Sequence, residues 1–311
     1  MQRDMAIKES KVKKAPKTKK FNKRLRLEKF KTSLFIAPSL IGLAIFYILP
    51  FFRVIYYSMV DNQVNQAFVG LDNYKRLFEN DAFLLGAKNT AIFTGIALPL
   101  AIIIPLLLAS VLMNKIPGKS FFRTVLISPL MVPTASIILV FQVLFNDGGA
   151  LNSFIESLGG VGVDWMRSEY SRYIIILLYL WKNIGYNMIL FMAAIAAIPK
   201  DMIDAASIDG ASRLRVFFKI KLPYLSSSIL FVGLLSLINS FKVFREVYLL
   251  TGKYPPNEDY LYMLQHFMNN TYSNLDYPKM SSAAIVMSIV MIVIIGLLMF
   301  IDAKFGNDIE E

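Results

Sequence analysis

The sequence predicts an all-α integral membrane protein with six transmembrane helices, and three observations lead to this prediction. Of the 311 residues, 56% are hydrophobic and only 18% are charged, whereas about a quarter of a typical soluble domain is charged. The apolar residues are concentrated in long runs, and roughly 18 of them are enough to cross a bilayer. Because lipid cannot hydrogen-bond to open backbone groups, runs of this length are predicted to be helices.

The six spans are predicted at residues 33–58, 90–113, 124–145, 173–197, 223–250 and 281–302. Their orientation follows from Lys and Arg, which accumulate on the cytosolic side of membrane proteins. With the N-terminus inside, the inner segments carry 22 Lys and Arg and the outer segments carry 7. The sequence therefore predicts two cytosolic tails, at residues 1–32 and 306–311.

The N-terminal tail supplies most of the net charge of +11, since residues 1–31 contain 13 basic and 3 acidic residues. This stretch directly precedes the first apolar run, so we interpret it as an anchor attracted to anionic lipid. It lacks the aromatic and basic pattern of a nucleic-acid motif, and no nucleic-acid partner is expected. Its charged stretch is also too long for a cleavable signal peptide.

Residue types that carry catalysis or bind metals are scarce in this sequence. The chain has no cysteine and a single histidine, His266, which excludes disulfides, a thiol nucleophile and a multi-histidine metal site. Neither H-E-x-x-H nor G-x-S-x-G occurs. Gly118-Lys119-Ser120 ends like a phosphate-binding loop, but Met113 stands where that motif needs glycine. The sequence predicts no enzyme and no cofactor or metal in this chain.

Spans four and five carry polar side chains at helical spacing. Those of span four share one face and those of span five share another: Tyr179, Asn183 and Tyr186, and then Ser236, Asn239 and Ser240. Lys182 and Lys242 are possible charged neighbours of these faces. Polar groups inside a membrane usually face water or the protein interior. The two faces favour a wet pathway between the helices, and hydrogen bonding that only holds the bundle together is the alternative.

The inner loop between spans four and five, residues 198–222, reads as two short helices. Pro199 can begin the first helix, and Asp204 lies near the positive end of its dipole. Gly210 permits the break, and Phe217 is one of the apolar residues that follow. A short helix with apolar anchors at the cytosolic face is suited to a groove on a partner protein.

This loop resembles the EAA loop of ABC importer permeases. The resemblance rests on Asp204-Ala205-Ala206, on Gly210 and on Ile220-Lys221-Leu222-Pro223. Asp204 stands where the family usually has Glu, which keeps the charge and shortens the side chain. Ala37-Pro38-Ser39-Leu40 and Phe68-Val69-Gly70-Leu71-Asp72-Asn73-Tyr74 are further similar to the carbohydrate-type permeases, the family of maltose and glycerol-phosphate importers.

The resemblance implies a transmembrane domain over residues 33–305 of a bacterial cytoplasmic membrane protein. It implies a second homologous permease, two ATPase subunits that bind ATP and Mg, and an extracellular substrate-binding protein. The two polar faces coincide with family positions that line the substrate cavity. The loop residues implied to couple the permease to the ATPase are Asp204, Ala205, Ala206, Asp209, Gly210, Ala211 and Phe217.

Two other functions are weighed against this one. A self-sufficient carrier often shows internal repeats; no clear repeat relates the two halves, and the loop would then have no role. A membrane enzyme would need a catalytic constellation that the sequence does not show. A surplus of Lys182, Lys242 and Arg245 over Glu246 fits an anionic sugar. Neutralisation by Glu246, by a partner permease or by water is the explanation that the sequence favours.

Overall fold

The computed structural model describes residues 33–114, 116–250 and 260–306. The predicted basic tail and the last five residues lie outside this part of the chain. The chain divides into two units, Met1–Val54 and Ile55–Glu311. The described part of the first unit is helical. Within the described residues the structure contains helices and no strand, with one isolated bridge between Val60 and Phe68.

Thirteen helices are described, and we number them α1 to α13 along the chain. They are α1 Ser33–Tyr57, α2 Asp72–Phe78, α3 Asp81–Leu112, α4 Lys119–Met131, α5 Thr134–Phe145, α6 Ala150–Ser157, α7 Ser171–Ala196, α8 Lys200–Ile208, α9 Arg213–Tyr224, α10 Ser226–Phe241, α11 Phe244–Leu250, α12 Leu264–Ser273 and α13 Tyr277–Gly306. Five helical stretches are long and apolar enough to cross a membrane, and α9 with α10 makes a sixth if this bent pair is one span. The predicted all-α membrane fold is confirmed.

The predicted third span, residues 124–145, is not one continuous helix. It is divided between α4 and α5, and Val132 between them is extended, with φ −91° and ψ 133°. Pro133 explains the break, because its ring disfavours a helical conformation at the preceding residue and it has no N–H to donate. Pro99 and Pro105 stay inside α3, where lipid-embedded helices tolerate proline.

The predicted fifth span, residues 223–250, is also broken. The chain bends by 68° between α9 and α10, and the helix stops again after Phe241 before α11 begins at Phe244. The N–H of Lys242 donates to the carbonyl of Asn239 at 3.1 Å, which tightens the last turn of α10. The second break lies where charged residues enter the apolar run.

The second span begins earlier than predicted, at Asp81 instead of residue 90. Asn80 caps this end, since its side chain accepts a hydrogen bond from the N–H of Phe83 at 3.0 Å. A side-chain acceptor at the N-cap satisfies one of the open donors of the first turn. Residues 81–89, which include Asp81, Lys88 and Asn89, therefore continue the helix before the apolar run that predicted it.

The long helices α3 and α7 pack against each other and form the centre of the second unit. One apolar cluster surrounds Phe93 and Ile175, and a second surrounds Phe191 and Leu225. The helix α4 also approaches α7 closely at Gly185, where an added Cβ would lie 2.1 Å from the carbonyl oxygen of Leu126. These contacts fix the position of the polar side chains that α7 carries.

The helix α12 packs on the N-terminal half of α3. The hydroxyl of Thr90 accepts a hydrogen bond from the N–H of Leu264 at 2.9 Å and donates to the carbonyl of Gly86. His266 in α12 is fully buried, and its Nδ1 accepts from the N–H of Met263 at 3.1 Å. Its Nε2 has no hydrogen-bond partner among the described residues. The ring of Phe244 is edge-on to the imidazole, with 4.7 Å between ring centroids.

Acidification is expected to destabilise the protein through His266. Burial lowers the pKa of His266 from 6.5 to about 4, so the unfolded chain binds a proton at a higher pH than the folded protein. This contribution to the free energy of unfolding is complete above pH 6.5 and is lost as the pH falls towards 4, by up to about 3 kcal/mol. Thermal unfolding in detergent across this pH range measures the loss, which His266→Gln should reduce. An equal pH slope in the variant would contradict the assignment.

Candidate functional site

A cavity of about 420 Å³ lies where α7 faces α10 and α11. Its walls combine amide, phenol and charged side chains with two apolar residues. They are Leu130, Tyr179, Lys182, Asn183, Tyr186, Asn239, Lys242, Val243, Arg245 and Glu246. Four of the six predicted cavity residues line this pocket together with both predicted lysines, so the polar faces of spans four and five meet as their spacing predicts.

The two asparagines of the pocket are hydrogen-bonded to each other. The Nδ2 of Asn239 donates to the Oδ1 of Asn183 at 3.3 Å, and the Nδ2 of Asn183 donates to the backbone carbonyl of Tyr179 at 2.8 Å. Asn239 is exposed, and its Oδ1 has no partner among the described residues. The phenol of Tyr186 is also exposed. The pocket therefore offers an amide acceptor and an aromatic ring to a ligand.

Tyr179 lines the pocket but is almost fully buried, at 3% exposure. Its hydroxyl donates to the backbone carbonyl of Ser236 at 2.7 Å, and its ring packs edge-on against Phe93. A buried phenol normally needs such a partner. Tyr179 thus joins α7 to α10 at the base of the pocket.

Ser236 and Ser240 were predicted to line the cavity, but the structure places both inside the helix interface. The Oγ of Ser236 accepts from the Nδ2 of Asn187 at 3.0 Å, and the Oγ of Ser240 lies 3.2 Å from the Oγ1 of Thr94. Positions three and four apart cover a wide stripe of a helix. Asn239 occupies the pocket side of that stripe, and the two serines occupy the side that α3 and α7 cover.

Asn187 connects three helices in this interface. Its Nδ2 donates to the carbonyl of Ala101 in α3 at 2.8 Å as well as to Ser236 in α10. The side chain is 2% exposed. These bonds match the alternative that polar residues hold the bundle together, and the pocket residues lie on a different side of the same helices.

Two of the four charged residues of the pocket form an ion pair, and the other two do not within the described residues. The Nζ of Lys182 lies 2.5 Å from the Oε1 of Glu246, whose side chain is only 11% exposed. Lys242 and Arg245 are exposed, and neither forms an ion pair with any residue in the described part of the chain. From the sequence, Arg245 was counted with Lys182 and Lys242 in the surplus of positive charge near the proposed cavity, and the structure places all three in the lining of the pocket.

Replacing one partner of the Lys182–Glu246 ion pair is expected to lower the free energy of unfolding more than replacing both partners. Lys182→Met leaves the buried carboxylate of Glu246 without its partner, and we expect the free energy of unfolding to fall by about 2–3 kcal/mol. This loss is smaller than for a fully buried ion pair because the lysine is partly exposed. Replacing both residues by Met should cost less than the single change. Thermal unfolding of the two single variants and the double variant measures the coupling, and additive losses would contradict it.

The loop between α7 and α10 has the predicted form of two helices with a break at Gly210. Gly210 adopts a left-handed conformation with φ +75°. The N–H of Ala211 donates to the carbonyl of Ala206 at 2.9 Å, which is the hydrogen bond of a Schellman motif. Ser212 then caps α9, with its Oγ accepting from the N–H of Arg215. The break is therefore defined at both of its ends.

The surface of this loop differs in one respect from the prediction. Asp204, Ala205 and Asp209 are exposed. Phe217, which was predicted as an anchor for a partner, is half-buried and packs against the cluster around Phe191. Other apolar side chains are exposed instead: Ile208 at 86%, Leu214 at 71% and Phe218 at 57%. Helical spacing explains the exchange, because neighbouring residues 217 and 218 point to different sides of α9.

A protein-family model matches the part of the chain that contains this pocket and this loop. The model for the binding-protein-dependent transport system inner membrane component matches residues 101–310, which include the pocket residues and the loop. The chain belongs to this family. The ABC importer permease that the loop motif predicted is thus confirmed, and the chain is a multi-pass permease subunit of the cytoplasmic membrane.

Relatives of this permease cover most of its length. The sn-glycerol-3-phosphate transport system permease protein UgpA of Yersinia pestis bv. Antiqua is 30% identical over 85% of this chain and 90% of its own. The arabinooligosaccharides transport system permease protein AraP of Bacillus subtilis is 29% identical over 89% and 88%. A crystal structure of a bacterial ABC transporter for the acidic polysaccharide alginate matches with TM-score 0.80 over 92% of this chain and 99% of that one. Its identity of 20% shows a shared fold.

Proposed function

We propose that this permease imports an oligosaccharide or sugar derivative. The polar pocket between α7 and α10 carries this proposal. Amide groups such as those of Asn183 and Asn239 exchange hydrogen bonds with sugar hydroxyls, and the ring of Tyr186 offers a flat surface for a pyranose face. The named relatives transport glycerol phosphate and arabinooligosaccharides, which supports a small polyhydroxylated substrate.

We further propose that the channel is formed with a second homologous permease. Two ATPase subunits bind ATP and Mg on the cytosolic side, and an extracellular protein delivers the sugar. ATP hydrolysis takes place in the ATPase subunits, and this chain contributes no catalytic residue. A solved alginate importer has been crystallised with its substrate-bound periplasmic protein, which supports delivery of this kind. Both tails of the chain lie in the cytosol, and the basic tail contacts anionic lipid.

The loop of α8, Gly210 and α9 is proposed to couple the pocket to the ATPase. Asp204, Ala205, Ala206, Asp209 and Ala211 belong to its contact surface or its turn. Exposed Ile208 and Leu214 supply the apolar contacts that a groove on the ATPase would cover. Since α9 continues through the 68° bend into α10, a displacement of the loop moves the helix that carries Asn239. Coupling in this scheme needs a rigid lever and no chemistry in this chain.

Transport by the reconstituted importer tests this proposal. The permease pair, the ATPase and the binding protein are placed in proteoliposomes, and uptake of labelled saccharides is measured. We expect uptake only when both ATP and the binding protein are present. Uptake of saccharide without ATP would contradict the proposal, and so would the absence of uptake for every saccharide offered to an assembled complex.

A further inference from the structure

Two positive charges of the pocket have no counter-charge in the described part of the chain. Glu246 is the one acid among the pocket residues, and it is engaged by Lys182. Neutralisation by Glu246 therefore accounts for the charge of Lys182, and it leaves the positive charges of Lys242 and Arg245 unbalanced. Both of these side chains are exposed within the lining of the same cavity.

The position of these two charges is set by the break in span five. Lys242 follows the last residue of α10, and Arg245 lies in the first turn of α11. Buried Val243 fixes the chain between them, at 4% exposure. The two cations thus face one volume from the ends of two helices. Like charges that share a confined site repel each other, and an anion placed between them removes that repulsion.

We propose that the pocket selects an anionic saccharide, with a carboxylate or phosphate group held by Lys242 and Arg245. The guanidinium of Arg245 can bind either group with two parallel hydrogen bonds, and Lys242 adds a point charge. Asn183 and Asn239 then contact hydroxyl groups, and Tyr186 contacts the sugar ring. This inference rests on the proposed function and narrows its substrate class to acidic sugars.

The test compares matched neutral and acidic saccharides in the reconstituted importer. The probes are cellotriose as the neutral sugar, trigalacturonate as the carboxylate and glucose 6-phosphate as the phosphate. We expect uptake of at least one acidic probe in preference to cellotriose. In the Lys242→Gln/Arg245→Gln variant, uptake of that probe should fall at least about tenfold, as expected for losing charge-assisted hydrogen bonds.

Two further variants separate charge from folding. Lys242→Arg/Arg245→Lys keeps both charges and should retain the preference for the acidic probe. Lys75→Gln removes an exposed lysine of α2 that lies outside the pocket, and its ratio of acidic to neutral uptake should equal that of the unaltered protein. Comparing uptake ratios cancels differences in protein amount and in docking of the binding protein.

The outcomes distinguish this inference from the proposed function. Uptake of trigalacturonate assigns a carboxylate substrate, and uptake of glucose 6-phosphate assigns a phosphate substrate. ATP-dependent uptake of cellotriose with no preference for either acid would overturn the inference and leave the proposed function standing. Unchanged acidic uptake in Lys242→Gln/Arg245→Gln would do the same. No ATP-dependent uptake of these probes or of any other saccharide offered to the assembled complex would overturn both.

Discussion

Gly185→Ala is expected to destabilise the permease by about 2 kcal/mol or more. An added Cβ at this position would lie 2.1 Å from the carbonyl oxygen of Leu126 and 2.9 Å from the Cα of Ile127. Both atoms belong to the backbone of α4, so no side-chain rotation relieves the overlap. The two helices must separate, and the contacts around Met188 weaken with them. Thermal unfolding in detergent measures the loss.

A glycine in open surroundings provides the matched control for this change. Gly296 lies inside α13 with no atom within 4 Å of its added Cβ. Gly296→Ala should be neutral or slightly stabilising, because alanine has the higher helix propensity. If Gly185→Ala unfolds at the same temperature as Gly296→Ala, the close packing of α4 on α7 is wrong.

Gly210→Val is expected to reduce ATP-coupled uptake strongly while leaving the protein folded. Gly210 has φ +75° and open space around its added Cβ, so the substitution acts through the backbone alone. A β-branched residue disfavours the left-handed conformation, and the turn that sets the angle between α8 and α9 is lost. We expect uptake to fall by at least about tenfold, since a strain of 1–2 kcal/mol is enough for that change.

The graded control uses residues that differ in their tolerance of this conformation. Gly210→Asn should retain most of the uptake, because asparagine enters the left-handed region with little strain, and Gly210→Ala should lie between the two. Uptake measured beside the ATPase rate separates lost coupling from lost assembly. Equal uptake by the Val and Asn variants would show that the turn at Gly210 does not limit coupling.

The loop between α7 and α10 was the part that the sequence predicted best. Pro199 and Gly210 are the local signals on which that prediction rested, and each acts through the backbone of its own turn. The structure places α8, the turn and the start of α9 as these residues require. The exposure of single side chains was predicted less well. Phe217 packs inward against a cluster that forms only when distant helices come together.

The breaks in spans three and five show the limit of apolar runs as a guide. High hydropathy shows that a segment can lie in lipid, but it does not show that the segment is one continuous helix. Pro133 was a readable signal for the first break. The second break, after Phe241, has no proline or glycine to mark it, so it depends on the tertiary surroundings.

The pocket was predicted in part for a related reason. Helical spacing identified Asn183, Tyr186 and Asn239 correctly as neighbours in space. The same spacing assigned Ser236 and Ser240 to the cavity, because a sequence does not say which edge of a polar stripe another helix covers. The pairing of Lys182 with Glu246 likewise joins residues 64 apart in the chain, and only the folded structure reveals which of the lysines remains unpaired.

Co-purification of this chain from its native membrane tests the central claim most directly. Solubilisation in mild detergent, followed by mass spectrometry of the proteins that accompany the chain, measures its assembly. We predict recovery of a second permease and an ATPase, with the ATPase reduced when Gly210 is replaced by Val. Recovery of this chain without an ATPase, together with solute transport in vesicles that contain no ATP, would contradict the account and indicate a self-sufficient carrier.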